Sequence, residues 1–474
     1  MKSTFMLYTA AGMGHLIPMV ELGKLLLRHG VSVTIVVLDF PSCADDQTAD
    51  SYISGVSAAH PSLLFHRLPP ISLPSPPSNP IAAKFDLIRL ANPHLLAYLR
   101  SAAYVHALIV DSFCHFALDV AAELSLPSYC FFTTSASNLV AFLYLPILLS
   151  QTTDSLKDLG LSPLHFPVLR RSIPASDFPA SLSDRNSEVS KAFLHCIERL
   201  PLAQGILVNS FQSLESPVFR ALAEECFSIG RPMPQIYCIG PITAGEVEDT
   251  GAGVDRRHEA LAWLDAQPAG RVVFLCFGSR VTFPAAQLRE IAIGLERSGQ
   301  RFLWVVRSAG RTEKLERSTE QDLEELLPDG FVERMQGRGL VVKSWGPQVA
   351  VLRHEAVGGF VTHCGWNSAL EAIVAGVGMI AWPLYAEQRM NMGFLVEEAG
   401  LAAEMNGAKE GWVTAAEVEE RVRWVIETEE GKQLRERVAA AGESARAALS
   451  EGGSSQATMA EFVRSLTTAG GTHH

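Results

Sequence analysis

His15 follows Gly12-Met13-Gly14, at the turn where a strand-like run, FMLYTA (5–10), gives way to a helix-like run over 16–29. A helix start disfavours positive charge by a few tenths to about 2 kcal/mol, so a neutral imidazole able to accept a proton is expected there. Asp111 closes a second strand-like run, ALIVD. From a neighbouring strand end its carboxylate could bond the other ring nitrogen and stabilise the imidazolium that forms. That negative charge opposes the helix dipole, and the sequence leaves the balance open. Such a dyad is suited to general-base work worth roughly 10²–10⁴ in rate. A capping histidine and an unrelated surface aspartate are the plainer alternative.

A second constellation is His363-Cys364-Gly365-Trp366-Asn367-Ser368, between a strand-like run and a helix-like one containing Glu371. Main-chain N–H groups at a helix start can hold a diphosphate without a lysine. The P-loop pattern G-x-x-x-x-G-K-[ST] is absent, and so is D-x-D. His363 and Cys364 are adjacent, with no second ligand pair at useful spacing, so no metal is expected. A tight packing turn around a core tryptophan is the bland reading. Other strand ends carry Thr133-Thr134, Gly278-Ser279, Ser344-Trp345 and the run Pro383 to Gln388. Ligands of open parallel sheets bind beyond the carboxyl ends of strands, so these ends face candidate sites. Gly12-x-Gly14 also begins a dinucleotide fingerprint, which would make the chain an oxidoreductase. Ile17 stands where the third glycine belongs, and Asp39 lies further along than the roughly 20 residues expected.

The elements that must position these residues alternate along the chain. VSVTIVVLD (31–39), ALIVD (107–111), SYCFFTT (128–134), GILVNS (205–210) and QIYCIG (235–240) read as strands. The helix at 16–29 has Pro18 in its first turn and Gly30 as its stop. A further helical stretch is expected near 114–125. The polar, aperiodic segment 244–260 reads as a linker. Beyond it the pattern restarts with RVVFLCFGS (271–279), RFLWVVR (301–307), GLVVKSW (339–345), VGGFVTH (357–363) and GMIAWPL (378–384). Leu288, Ile291, Ala292 and Leu295 form a helical stripe. Segment 308–330 is charged and expected to be a mobile surface loop, and 70–82 an irregular Pro/Ser-rich one. The fold class is α/β: two doubly wound units in tandem, with a small-ligand site expected in a cleft between them.

Composition excludes other classes. Hydrophobic residues make up 48% and charged residues 19%, as in ordinary globular proteins. Net charge is −12 with no basic run of five, which argues against nucleic-acid or anionic-membrane partners. The eight cysteines lack a C-x-x-C pair and fit buried reduced thiols. The first residues read as a strand rather than a signal peptide, and no run of 18 apolar residues occurs. A cytosolic monomer without a membrane span is the expectation. His473 and His474 are assigned no function.

The segment Trp345 to Gln388, WGPQVAVLRHEAVGGFVTHCGWNSALEAIVAGVGMIAWPLYAEQ, resembles the signature box of plant secondary-product UDP-glycosyltransferases (family 1, GT-B fold), at full length and without a gap. GMGHLIPMVEL, Asp111, ALDVAAELSLPSYCFFTTSA, ILVNSFQSLE and CFGS extend the likeness. The resemblance implies an acceptor domain over 1–243, a linker over 244–260, a UDP-sugar domain over 261–454 and a C-terminal helix over 455–474 returning to the first domain. It implies that Trp345 stacks on uracil and that Gln348 and Glu371 bond the ribose. It also implies that His363, Gly365, Asn367, Ser368 and Ser279 hold the diphosphate. Trp366, Glu387 and Gln388 would address the sugar, with Thr133 from the other domain. His15 would be the base, supported by Asp111. Gln388 points to glucose. The implied reaction is an inverting hexosyl transfer to a small hydroxylated, phenolic or otherwise lipophilic acceptor, with UDP-glucose as co-substrate and no metal. A catalytically inactive binder is the non-enzyme alternative. Gly346 for the usual Ala, Gly378 for the usual Pro, and Arg280 depart from the pattern. Phe113, Phe116 and 139–149 are either acceptor lining or core.

Overall fold

The computed structural model describes residues 3–38, 46–73, 79–224, 229–230, 232–245, 259–278, 282–307, 326–343 and 347–469. Contacts divide the chain into two compact units, Met1–Thr250 with Ala447–His474, and Gly251–Arg446.

The first unit is built on β1 (Thr4–Thr9), β2 (Ser32–Val37), β3 (Leu63–Arg67), β4 (Val105–Asp111) and β5 (Ser128–Phe132). A small hairpin, β6 (Pro163–Leu164) and β7 (Ile173–Pro174), precedes β8 (Gly205–Val208) and β9 (Gln235–Cys238). The sheet order is β3-β2-β1-β4-β5-β8-β9, with every pairing in it parallel. Strands buried on both faces read as continuous apolar runs. That is the character of VTIVV in β2 and ALIVD in β4. The chain runs outward from β1 to β3 and returns as β4 on the other side of β1, so the switch point lies between β1 and β4.

The second unit repeats the plan with β10 (Val272–Cys276), β11 (Arg301–Val306), β12 (Gly339–Lys343), β13 (Val357–Thr362), β14 (Met379–Ala381) and β15 (Ala402–Glu404). Its order, β12-β11-β10-β13-β14-β15, is again parallel and puts the switch between β10 and β13. The stripe Leu288, Ile291, Ala292 and Leu295 is buried on helix Ala285–Ser298, in one cluster with Trp304 and Phe302. Helix Ser454–Ala469 packs in the first unit's core. Phe462 meets Phe5, Tyr129 and Tyr237 with ring centroids 6.5, 4.9 and 5.0 Å apart.

Several expectations need correction. The first helix spans Met13–Arg28, so His15 lies inside its first turn and Pro18 beyond it. Gly12, at φ 108°, turns the chain so that its carbonyl accepts from the His15 and Leu16 N–H groups, at 3.0 Å each. A residue with a Cβ is strained there. The expected irregular loop over 70–82 ends early: residues 80–82 open helix Pro80–Ser101. The Asn79 side chain caps that helix by accepting from the Ile81 N–H at 2.8 Å. Strands Ser128–Phe132 and Met379–Ala381 stop short of the expected ends, which leaves Thr133 and Pro383 in turns.

Cys114, Cys130, Cys196, Cys238 and Cys364 are buried free thiols and Cys276 is half-buried. Cys43 and Cys226 lie outside the described residues, as do Asp39, most of the expected linker and segment 308–325. No helix among the described residues is long and apolar enough to cross a membrane.

Candidate active site

The carboxyl edge of the first sheet brings His15 and Asp111 together across the switch point. His15 Nδ1 stands 2.9 Å from Asp111 Oδ2, with the carboxylate fully buried and the imidazole about a quarter exposed. Asp111 does two things at once. Its other oxygen, Oδ1, accepts from the Phe113 N–H at 2.9 Å and caps the short turn Ser112–Cys114. The carboxylate is thereby fixed before it meets the imidazole. It also sets Phe113, whose ring lies 4.9 Å from the His15 ring. A carboxylate on Nδ1 holds the proton there and leaves Nε2 as the lone-pair nitrogen. One residue after β5, half-buried Thr133 belongs to the same sheet edge.

At the carboxyl edge of the second sheet, the chain leaves β13 through His363 and Cys364 and enters helix Trp366–Ala375 with Gly365 as its N-cap. Cys364 adopts φ 62°, a strained turn for a residue with a Cβ. His363 is 6% exposed, and burial pushes its imidazole down to about 4, so it is neutral at pH 7. Two glycines make room for it. A Cβ on Gly365 would stand 2.5 Å from His363 Nε2, and one on Gly278 2.7 Å. Its Nδ1 is buried and lacks a hydrogen-bond partner. The helix N-terminus beside it has no side-chain cap and no acidic residue in its first turn, so its dipole favours an anion there.

Gln348 opens helix Gln348–Leu352 and donates through Nε2 to Ser368 Oγ at 2.8 Å and Glu371 Oε2 at 2.6 Å. These three polar groups therefore form one cluster on this edge. Gln388 is 3% exposed. Its Oε1 accepts from the N–H groups of Leu384 at 2.8 Å and Tyr385 at 3.0 Å, which fixes the turn after β14 and leaves Nε2 to point elsewhere. Glu387 Oε1 accepts from Asn391 Nδ2 at 3.3 Å, and the same amide donates to the Cys364 carbonyl at 2.9 Å. Asn391 thus ties the His363 turn to the Gln388 turn. The Trp366 indole is buried against Phe394, 6.0 Å between centroids, so its ring belongs to the core. Ser279 and Trp345 lie outside the described residues, as do Arg280 and Gly346. At Gly378 an added Cβ would meet the Arg435 stem at 3.2 Å. Among the described residues, no group of three His, Cys, Asp or Glu side chains could hold a metal ion.

Residue types alone do not single out Asn391, Tyr385 or Glu215. The Tyr385 ring stacks toward His363 at 6.5 Å. Phe113, either acceptor lining or core by sequence, lies beside the His15 ring. Glu215, 1% exposed, caps helix Ala136–Ser150 from 78 residues away. Its oxygens accept from the Ala136 N–H (2.9 Å), the Ser137 N–H and hydroxyl (2.7 Å each) and the Ser210 hydroxyl (2.5 Å). A glutamate closing the run VNSFQSLE gives no hint of that reach; only the fold brings the partners together.

A family model described as UDP-glucoronosyl and UDP-glucosyl transferase matches residues 223–438. UDP-glycosyltransferase 88F3 of Pyrus communis is 44% identical over 98% of this chain and all of its own length. The chain belongs to the UDP-glycosyltransferases. A phloretin 2'-O-glucosyltransferase of Pyrus communis is equally similar, 44% identical over 98% of this chain and all of its own. Among solved structures, Phytolacca americana UGT2 complexed with UDP-2fluoro-glucose and pterostilbene is 34% identical, with a TM-score of 0.82 over 98% of this chain and 99% of that one. The transferase therefore has the GT-B fold, and the oxidoreductase reading of Gly12-x-Gly14 is set aside. In this transferase Gly12 shapes a helix entry for a histidine.

Proposed function

We propose that this enzyme transfers glucose from UDP-glucose, with inversion, to a phenolic hydroxyl of a flat, largely apolar acceptor. The observation that carries the reading is the His15–Asp111 pair at 2.9 Å on the switch point of the first sheet. Asp111 fixes Nδ1 as the protonated nitrogen, so Nε2 takes the acceptor proton. The acceptor oxygen attacks the anomeric carbon from the face opposite the phosphate. A carbon–oxygen bond forms, the bond from that carbon to the diphosphate oxygen breaks, and its electron pair leaves with UDP. An α-linked donor thus yields a β-glycoside. Asp111 stabilises the imidazolium.

Donor roles follow the polar groups of the second sheet's carboxyl edge. Gln348 and Glu371 address the ribose and Trp345 the uracil. Ser279, His363, Asn367, Ser368 and the Gly365 turn hold the diphosphate. A diphosphate beside the buried imidazole of His363 favours its protonated form, which neutralises charge on the leaving group. Gln388 through Nε2 and Glu387 address the glucose hydroxyls, Trp366 contributes through its main chain, and Thr133 comes from the first unit. Phe113, set by Asp111, offers the acceptor an aromatic face beside the base. Acceptor class is supported by the relatives: one is named for phloretin, and one solved structure holds pterostilbene. We place the enzyme in the cytosol as a monomer.

The test is acceptor-dependent UDP release, with UDP-glucose and phloretin, by wild type and His15→Ala. Loss of about 10²–10⁴ in turnover is expected with UDP affinity retained. Activity within about threefold of wild type would remove His15 as the base.

A further inference from the structure

The amino edge of the second sheet gathers positive charge that the transfer reaction does not use. Arg271 stands one residue before β10, Arg301 opens β11 and Arg338 stands one residue before β12. These strands are parallel neighbours, so the three side chains start from the same edge. With five or six residues per strand, that edge lies roughly 15–20 Å from the carboxyl edge that carries His363. A cavity of about 440 Å³ opens there, lined by the three arginines with Gln300 and Gln336 and by no acidic residue. Its size falls within the range of small-ligand sites.

Two of the guanidinium groups are held by neutral partners. Arg301 Nη1 donates to Gln267 Oε1 at 3.1 Å and to the Gly337 carbonyl at 3.2 Å. Arg338 Nη2 donates to the Glu296 carbonyl at 3.2 Å, while its Nε is buried without a partner. Among the described residues no carboxylate forms an ion pair with any of the three. Two nearby carboxylates are engaged: Glu296, which also feels the charge of Arg338, bonds Arg334 at 2.6 and 3.0 Å, and Glu427 bonds Gln300 at 2.7 Å. Arg435 is pushed down, first by burial and then by the charge of Arg271. Three like charges at one edge, with Glu296 shared between Arg334 and Arg338, are unfavourable, more so inside a cavity than in open water, and an anion relieves them. The chain as a whole carries −12, so this concentration is local.

We propose that the cavity between Arg271, Arg301 and Arg338 binds a small polyanion with at least two oxyanion groups, separately from the UDP-sugar site. Planar guanidinium forks suit phosphate or carboxylate groups in a bidentate way, and Gln336 supplies a neutral donor. Phosphorylated and polycarboxylate metabolites share this chemistry.

The test is calorimetric titration of the full chain, saturated with UDP to fill the donor site, using inorganic pyrophosphate in one arm and citrate in the other at fixed ionic strength. Binding of one equivalent with Kd of about 1 mM or tighter is expected in at least one arm, and the arm that binds names the source. Arg271→Glu and Gln336→Glu change exposed side chains and so spare the fold. Each is expected to weaken the probe about tenfold or more while UDP affinity stays unchanged. No binding by wild type up to about 10 mM, or equal binding by wild type and both variants, overturns the proposal.

Discussion

At the residue scale, the site is made of side chains whose ordinary chemistry is redirected by one or two neighbours each. Asp111 sets the tautomer of His15. Gln388 gives its carbonyl oxygen to two main-chain N–H groups and has only its amide hydrogens left for a ligand. His363 occupies space that two glycines vacate. That last relation yields a prediction. In Gly365→Ala the new methyl would stand 2.5 Å from His363 Nε2, too close for either to stay in place. The imidazole must move, and UDP affinity measured by calorimetry is expected to fall about tenfold or more, since one good charge-assisted hydrogen bond is worth roughly 1.5–3 kcal/mol. Affinity equal to wild type would show that His363 is not held by Gly365. His15 and the His363–Ser368 run were legible from residue types at strand ends. Asn391 was not, because a buried amide tying two turns looks in sequence like any polar residue on a helix.

At the element scale, what matters is how turns are held at strand ends. The turn between β5 and helix Ala136–Ser150 carries Thr133 and depends on Glu215, which arrives from beyond β8. Four hydrogen bonds converge on that one buried carboxylate at a helix N-terminus. Glu215→Ala leaves buried N–H and O–H donors without an acceptor. An unsatisfied buried donor costs about 1–3 kcal/mol, so a loss of about 3 kcal/mol or more in urea unfolding is expected. Glu215→Gln, which keeps an acceptor oxygen, should lose less. A loss under about 1 kcal/mol in Glu215→Ala would mean that water or a neighbour replaces the carboxylate. The strands themselves were readable, since parallel strands buried on both faces announce themselves as apolar runs. Helix Pro80–Ser101 was not readable at its start. The prolines and serines before it mark a loop, while Pro80 and the Asn79 cap belong to the helix.

For the whole molecule, each unit buries a histidine in its neutral form. His363 is pushed down to about 4 by burial. His115 is pushed down to about 3, first by burial, then by His195 and Arg199. An unfolded histidine takes up its proton near 6.5, so below that pH the unfolded chain binds more protons than the folded one. Both groups therefore contribute stability that is full above about 6.5 and is lost as pH falls toward 4 and 3. Thermal unfolding of the ligand-free enzyme should show Tm falling across that window. In His115→Phe, which keeps the ring among Phe85 and Phe116, Tm should fall less steeply. Parallel curves for variant and wild type would refute the contribution of His115.

The chain's own text determined the alternation of strands and helices, the two α/β units, the glycine-shaped entry to the first helix and the box from Trp345 to Gln388. These are local properties: periodicity, turn chemistry and residue order act within a few residues of one another. Tertiary structure decided which strand lies beside which, and so which strand ends share an edge. The 2.9 Å meeting of His15 with Asp111 is settled by β4 returning next to β1. The reach of Glu215 to Ala136, the bridge by Asn391 and the gathering of Arg271, Arg301 and Arg338 are likewise set by contacts between residues far apart in sequence. No periodicity encodes such pairings, because they depend on the closure of the whole sheet rather than on any one segment.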